Sequence, residues 1–221
     1  MPPAPAPPLT RYRLTFAKTE AMRYTGNLDL MRTLERTIRR AGLPLAYSQG
    51  FSHHPRLHLA AALPLGFVSD GELADIWLER DLAPEEVLAR LADASPPGVR
   101  FLSIGLVPLK EAALQEETIS ATYTLRLATD PPQLEARLRA LLEAGQLPRT
   151  RRGKPYDLRP LIENGAVAAA DGGETLLELR LAARPGATGR PEEVLDALGL
   201  EPLSADVRRT GLILRTLDNA S

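Results

Sequence analysis

Two helix starts in this chain of 221 residues have the same five letters. Pro-Glu-Glu-Val-Leu occurs at residues 84–88 and again, 107 positions later, at 191–195. An Ala-Gly helix end also recurs, at 41–42 and 144–145, with a spacing of 103 positions. Proline and glutamate favour the first turn of any helix, so the pentapeptide alone is weak evidence. Together the spacings predict that one fold occurs twice through internal duplication, the alternative being two unrelated α+β halves.

The order of elements in the first half predicts the fold class. The run RYRLTFAK (11–18) alternates apolar and polar residues, which is the period of a strand with one buried face. Apolar residues then recur at helical spacing after Asn27, the predicted N-cap. Further strands are predicted at 45–50 and 57–67, followed by a hairpin turn across Val68–Gly71, a strand at 73–78, a helix from Pro84 and a closing strand.

The second half repeats this order, with an irregular basic stretch after its first helix and a hairpin turn at Asp171–Gly173. We therefore predict an α+β protein made of two tandem ferredoxin-like (split βαβ) halves. Residues 1–10 hold five prolines and are predicted to be a disordered tail. The predicted domains are 11–115 and 118–217.

The chain has no cysteine, which excludes disulfides, thiolate zinc sites and cysteine-ligated iron–sulfur clusters within it. We therefore expect no cofactor and no metal site in this chain. There is no apolar run of the length that spans a membrane, and the start of the chain does not have the pattern of a secretory signal. These features predict a cytoplasmic protein without a membrane partner.

Charge is distributed unevenly, although the net charge is only −1. The formal charge is +6 over 11–56, −7 over 57–117, +4 over 118–160 and −4 over 161–221. Such asymmetry predicts an anionic partner for the basic stretches. The competing interpretation is that these charges are ordinary solvated helix faces.

All three histidines of the chain lie within six residues, in a loop rich in polar side chains. Metal binding is disfavoured because His54 and His58 flank a proline and have no carboxylate within ten residues. Acid–base chemistry is a second interpretation, with His54 and Ser48 as the candidate catalytic residues. Recognition of phosphates and bases is the third, and a merely structural turn is the alternative to all three. The candidate RNA-binding residues here are Tyr47, Ser48, Gln49, Gly50, Phe51, His53, His54 and Arg56.

A second basic segment follows the first helix of the second half. Four cations occur within six residues, a density that attracts anions, although a solvated basic loop is the alternative. Asp157 and Arg159 are also predicted to form a structural pair that fixes the turn. The candidate RNA-binding residues of this segment are Arg149, Arg151, Arg152, Lys154, Asp157 and Arg159.

These segments resemble the radical-SAM-linked domain, an uncharacterised bacterial family fused to radical SAM proteins or encoded beside them. Asn27 stands where that family's pattern has histidine, and Ser52-His53 replaces Asn-Pro. The resemblance adds Lys18 and Arg23 to the candidate RNA-binding residues. The matching residues are Lys18, Arg23, Tyr24, Leu28, Asp29, Tyr47, Ser48, Gly50, Phe51, His54, Pro55 and the run Asp157–Pro160.

The resemblance implies a radical SAM partner and, through RNA-related gene neighbours, RNA modification or processing. An iron–sulfur cluster and S-adenosylmethionine would then be held only by that partner. The favoured hypothesis is an accessory RNA-binding or substrate-presenting protein, with tRNA or rRNA as the RNA. One alternative is a stand-alone RNA-acting enzyme that uses His54, which is less favoured because no complete catalytic constellation is recognisable. Another is a protein-interaction module that docks on a radical SAM partner.

Overall fold

A computed structural model shows a mixed α+β architecture with mostly antiparallel strands and few helices, which confirms the predicted α+β class. The structure describes residues 9–49, 52–128, 130–169, 174–202 and 205–215. The chain divides into two compact units, Met1–Gln115 and Glu116–Ser221. A one-turn helix, which we number α3 (Leu114–Glu117), spans this division in the sequence.

The first unit has the order β-α-β-β-α-β. Its sheet runs β2-β3-β1-β4, and every neighbouring pair is antiparallel. This is the strand order of the split βαβ arrangement. The elements are β1 (Thr10–Lys18), α1 (Asn27–Arg40), β2 (Leu57–Leu59), β3 (Val68–Leu78), α2 (Pro84–Asp93) and β4 (Val99–Val107).

Alternation along β1 separates a core face from a polar face. Tyr12, Leu14 and Phe16 are fully buried and belong to the core formed with both helices. The opposite face carries Arg11 and Arg13, which pair in register with Trp77 and Asp75 of β3. The helices contribute Leu30, Leu34, Ile38, Val87 and Leu91 to the core.

Four local predictions in this unit are wrong. The strand predicted at 57–67 ends at Leu59, and residues 60–67 are not a strand. Val68–Gly71 is not a turn but the start of β3, because Ser69 is buried and pairs with Lys18 of β1. Residues 45–49 form isolated bridges at Leu45 and Tyr47, not a strand. Helix α1 begins one residue earlier than predicted, with Gly26 as N-cap and no capping side chain.

The second unit has the same order of principal strands and helices. Its sheet runs β8-β9-β5-β11, again antiparallel throughout, with the two-residue β10 added at the outer part of β9. The elements are β5 (Thr118–Leu127), α4 (Leu134–Glu143), β6 (Pro148–Arg151), β7 (Lys154–Asp157), β8 (Ile162–Ala169), β9 (Thr175–Arg184), β10 (Ala187–Thr188), α5 (Pro191–Ala197) and β11 (Ala205–Leu214).

The basic stretch predicted to be irregular is a two-stranded hairpin, β6–β7. Its two turn residues, Arg152 and Gly153, both have positive φ angles of 50° and 75°. This backbone matches the twist of the flanking strands, and only glycine adopts it without strain. The sequence did not predict this hairpin turn, because its first position holds arginine instead of the usual asparagine, aspartate or glycine.

Two other predictions fall mainly on residues that the structure does not describe. The predicted turn at Asp171–Gly173 lies outside the described residues, as do residues 1–8 of the predicted tail. Thr10, the last residue assigned to that tail, already belongs to β1. Among the described residues, no helix has both the length and the apolar character needed to cross a membrane.

Candidate nucleic-acid interface

The histidine-rich loop of the first unit is closed at its base by backbone hydrogen bonds. The Ser48 N–H donates to the His54 carbonyl at 2.8 Å, and the Arg56 N–H donates to the Ala46 carbonyl at 2.8 Å. In the part of the loop beyond these hydrogen bonds, Gln49, His53 and His54 are exposed. Gly50 and Phe51 lie outside the described residues. The base of this loop is therefore fixed, and its histidines face solvent.

Ser48 uses its hydroxyl to hold the loop together. Its Oγ accepts the backbone N–H of His54 at 3.0 Å and donates to the Ser52 carbonyl at 3.4 Å. The Nδ1 of His53 lies 3.0 Å from the Ser48 carbonyl, not from the hydroxyl. In the described part of the chain no imidazole is hydrogen-bonded to Ser48 Oγ. The loop therefore lacks the serine–histidine contact that would activate a nucleophile.

Tyr47 ties this loop to helix α1. Its phenol donates to the Glu35 carboxylate at 3.0 Å. Burial is the largest cause that raises the Tyr47 pKa above 10.0, and the bond to Glu35 acts in the same direction. Tyr47 consequently stays a neutral donor near neutral pH.

Behind the loop, two arginines stack on Trp77. The guanidinium carbon of Arg56 lies 4.9 Å from the indole centroid, and that of Arg11 lies 5.1 Å from it. The His58 ring meets the same indole edge-on, with centroids 5.1 Å apart. Trp77 was not among the predicted site residues, because its role depends on β3 lying beside both β1 and β2.

Asp75 forms ion pairs with two arginines beside this cluster. It is fully buried and accepts from Arg11 Nε at 2.9 Å and from Arg13 Nε at 2.8 Å. Arg11 also donates to the carbonyls of Glu111 and Ala112, at 2.7 and 2.8 Å. The alternating arginines of β1 are therefore held by structural partners.

The same surroundings act on His58. Burial is the main cause that lowers its pKa below 6.5, and the charges of Arg56 and Arg11 lower it further, while Asp75 opposes them. The lowered pKa favours the neutral form of His58, whereas a histidine that binds phosphate through its charge would have to be protonated.

Lys18 and Arg23 also have structural positions. Lys18 is fully buried, and its ammonium donates to the carbonyls of Arg23 at 3.1 Å and Phe67 at 2.9 Å. Arg23 pairs with Glu20 at 2.7 Å and donates to the Gly66 carbonyl at 2.9 Å. Together they fasten the end of β1 to the segment that enters β3.

In the second unit, some cations of the predicted basic segment are paired with carboxylates and others are not. Arg151 is bonded to Glu193 and stacks 4.7 Å from the centroid of Tyr156, whose pKa is raised by burial. Arg149 lies 3.8 Å from Asp196. These two arginines fasten the β6–β7 hairpin to helix α5.

Asp157 and Arg159 fix the end of the hairpin, but through backbone groups and not through each other's side chains. Asp157 Oδ1 accepts the N–H groups of Leu147 at 2.8 Å and Arg159 at 2.9 Å. The Arg159 guanidinium donates to the carbonyls of Leu142 and Ile162, at 2.9 and 2.7 Å. Arg159 thereby satisfies a free carbonyl in the last turn of α4.

Three cations around a concavity remain unpaired. Arg152, Lys154 and Arg190 are exposed, and none forms an ion pair with a carboxylate in the described ranges. They border a cavity of about 410 Å³ whose wall also includes Arg151 and Tyr156. Arg190 was missed by the sequence analysis because it lies far along the chain, directly before α5.

A second cavity, of about 440 Å³, lies on the polar face of the sheet in this unit. Among the described residues that line it, the one cation is Arg180, which is paired with Glu163 at 2.9 Å. Threonines and an amide supply most of its other polar groups, namely Thr122, Thr124, Thr210 and Asn164. The concavity with excess positive charge is therefore the one beside the hairpin. Within the described ranges, no group of three or more metal-ligating side chains comes together.

No curated protein matches this chain. Among solved structures, a chain of a Cbf5–Nop10–Gar1 complex is similar with 11% identity and a TM-score of 0.48, over 91% of this chain and 48% of that chain. A chain of the archaeal box H/ACA sRNP Nop10–Cbf5 complex is similar with 12% identity and a TM-score of 0.43, over 90% and 46%. This chain thus spans about half the length of each of these two chains.

One family model covers most of the sequence. It matches residues 11–191 and is described as an uncharacterised protein conserved in bacteria. The match includes the histidine-rich loop, the hairpin and all three unpaired cations of the cavity. The chain belongs to this bacterial family, DUF2344.

Proposed function

We propose that this protein binds RNA through the cavity bordered by Arg152, Lys154 and Arg190. The observation that carries this proposal is that these three cations are exposed and unpaired around one concavity, whereas neighbouring arginines are held by carboxylates. When Lys and Arg side chains contact phosphates, they displace the counterions condensed on the nucleic acid, and this release drives association. The cavity supplies a place where a phosphate group or base can enter.

The histidine-rich loop of the first unit provides a further polar surface. Exposed His53 and His54 offer hydrogen-bonding groups, and Arg56 presents a guanidinium already oriented on Trp77. Pre-oriented groups lose less conformational freedom on binding than free side chains do. In this proposal, contacts from the loop add selectivity and the cavity supplies most of the electrostatic attraction.

The accessory role follows from the resemblance to the radical-SAM-linked domain. The chain has no cysteine to ligate an iron–sulfur cluster, so cluster and S-adenosylmethionine would be on a cytoplasmic partner. The protein would present tRNA or rRNA to that enzyme for modification or processing. A protein that only docks on the partner is the alternative, and it predicts complex formation without RNA affinity.

We also propose that residues 11–115 and 118–217 are domains that arose by duplication. Both units place a β-α-β-β-α-β order on a sheet of corresponding strand order, β2-β3-β1-β4 and β8-β9-β5-β11. The recurring pentapeptide opens the corresponding helices α2 and α5. The β6–β7 hairpin, which carries Arg152 and Lys154, lies between α4 and β8. At the corresponding place between α1 and β2 the first unit has the histidine-rich loop, closed by the Tyr47–Pro55 bridge.

Fluorescence anisotropy with labelled tRNA tests the RNA-binding site. We expect Arg152→Glu/Lys154→Glu to weaken binding strongly, and Arg190→Glu to weaken it by a smaller factor. The matched control is Arg80→Glu/Lys110→Glu, which makes the same change of charge at exposed residues of the first unit. Equal losses in both double variants would show that the attraction is not located at the cavity.

The partner is tested separately by co-purification with the radical SAM protein of the same bacterium. We expect a complex that survives in the Arg152→Glu/Lys154→Glu variant, since the cavity serves RNA and not the partner. Absence of any complex would remove the accessory role and leave an independent RNA-binding protein.

A further inference from the structure

Strand β4 leaves one edge of the first unit's sheet without a partner. It pairs with β1 along one side, and no other strand of the described residues pairs with it. Between Val99 and Val107 it carries a single charge, Arg100, and no proline. Natural edge strands are usually protected against association by charges, prolines or a covering element. The first two protections are scarce or absent along β4.

Exposed aliphatic side chains lie along this edge and its exit. Leu102, Leu106 and Leu109 are 41%, 59% and 56% exposed, which is unusual for three leucines within eight residues. Ile104 and Leu106 pair with Leu14 and Tyr12, so their side chains lie on the core face of the sheet. The apolar layer of the first unit therefore continues to the edge and is incompletely covered there.

We propose that β4 pairs antiparallel with β4 of a second copy of this chain, which forms a two-fold symmetric dimer. The regular part of the strand, Ser103–Val107, follows a bulge at Leu102, where the register with β1 shifts. Centring the pair on Gly105 places Ile104 of each copy opposite Leu106 of the other. Four aliphatic side chains then meet on the core face, and the paired segment is uncharged.

Self-complementarity is the reason for choosing a second copy as the occupant. A two-fold interface brings the same strand against itself, so that residue i faces residue j of the other copy and j faces i. Like charges along such a strand would therefore meet and repel each other. Ser103–Val107 contains no charged residue, so no like charges meet across the two-fold axis. A Cβ at Gly105 would meet no atom within 4 Å in this unit, so a side chain can be introduced there for cross-linking.

Light scattering during size-exclusion chromatography of the full chain tests the dimer. We expect a mass of twice the 24.0 kDa chain, and a return to the single-chain mass in Leu106→Lys. The matched control is Leu65→Lys, because Leu65 is 62% exposed but lies in a loop outside the sheet; it should remain a dimer. A monomeric parent protein, or a Leu106→Lys variant that stays dimeric, would overturn the proposal.

A disulfide probe tests the register, and the cysteine-free background makes it specific. Opposed residues of antiparallel strands are about 4.5–5.5 Å apart at Cα, within the range of a disulfide. Gly105→Cys should therefore form a covalent dimer on mild oxidation, while Leu65→Cys should remain largely single-chain. Equal cross-linking of the two variants would contradict pairing through β4.

Discussion

Asp75 forms ion pairs with two arginines in a largely buried part of the first unit's sheet. The carboxylate is fully buried, and the side chains of Arg11 and Arg13 are 2% and 17% exposed. Such a group contributes little net stability when intact, because its desolvation cost offsets the attraction. Removing the carboxylate alone is costly, because the guanidinium of Arg11 then stays buried without the charge of Asp75.

Asp75→Asn should therefore lower the free energy of unfolding by about 3 kcal/mol or more. Urea unfolding followed by circular dichroism measures this change. Asp81→Asn is the matched control at an exposed aspartate, and it should change the stability by no more than about 0.5 kcal/mol. Similar effects of the two substitutions would show that the buried pairings are not what stabilises this sheet.

His58 provides a pH-dependent test of the same cluster. Because its folded-state pKa lies below 6.5, its contribution to stability is complete above that pH and is lost as the pH falls through the folded-state pKa. Titration of the imidazole by NMR should show the lowered pKa. Arg56→Gln removes a neighbouring positive charge and should raise it. A pKa at or above 6.5 in the parent protein would contradict the packing around Trp77.

At the scale of single residues, the sequence predicted where cations are concentrated but not which of them are unpaired. Arg151 and Arg152 are neighbours, yet one is bonded to Glu193, 42 residues away, and the other has no ion partner in the described ranges. No local pattern contains that pairing. The sequence also offered no reason to add Arg190 to the site.

Secondary-structure elements were predictable where burial is periodic over several turns. Helices α1, α2 and α5 follow from apolar spacing and from the prolines that begin two of them. The sequence predicted only residues 73–78 of strand β3, because Asp70-Gly71 has the composition of a turn. In the structure, pairing with β1 extends the strand back to Val68. Long-range strand pairing overrides local turn preference there.

Arg159 connects two elements of the second unit, since it bonds the end of α4 and the start of β8. Arg159→Met should leave those carbonyls unsatisfied and destabilise the fold by about 1–3 kcal/mol. Arg152→Met is the control, because Arg152 is exposed at the hairpin turn and should change the unfolding free energy by less than about 0.5 kcal/mol. Thermal and urea unfolding compare them. Equal changes in the free energy of unfolding for the two variants would contradict the conclusion that Arg159 is bonded to the fold and Arg152 is not.

At the scale of the whole molecule, two units of the same strand order differ in the segment between the first helix and the second principal strand, which is a two-stranded hairpin in the second unit and a loop with isolated bridges in the first. The α+β class was predictable from the sequence because it depends on element order, which hydrophobic periodicity records. The cavity was not, because it needs the β6–β7 hairpin, β10 and the residue before α5 to meet. In our proposal, RNA binding therefore depends on how the segment between α4 and β8 meets the start of α5.

The most direct test of RNA binding at this cavity is its salt dependence. Affinity for labelled tRNA, measured by anisotropy across a salt series, should fall steeply, because each phosphate contact contributes a slope of about −0.7 to −0.9 in log K against log salt. Arg152→Glu/Lys154→Glu should flatten that slope by at least about one such contact, while Arg80→Glu/Lys110→Glu should leave it nearly unchanged. Binding that is absent at low salt, or a slope that both double variants reduce equally, would contradict an RNA site formed by the unpaired cations of the second unit.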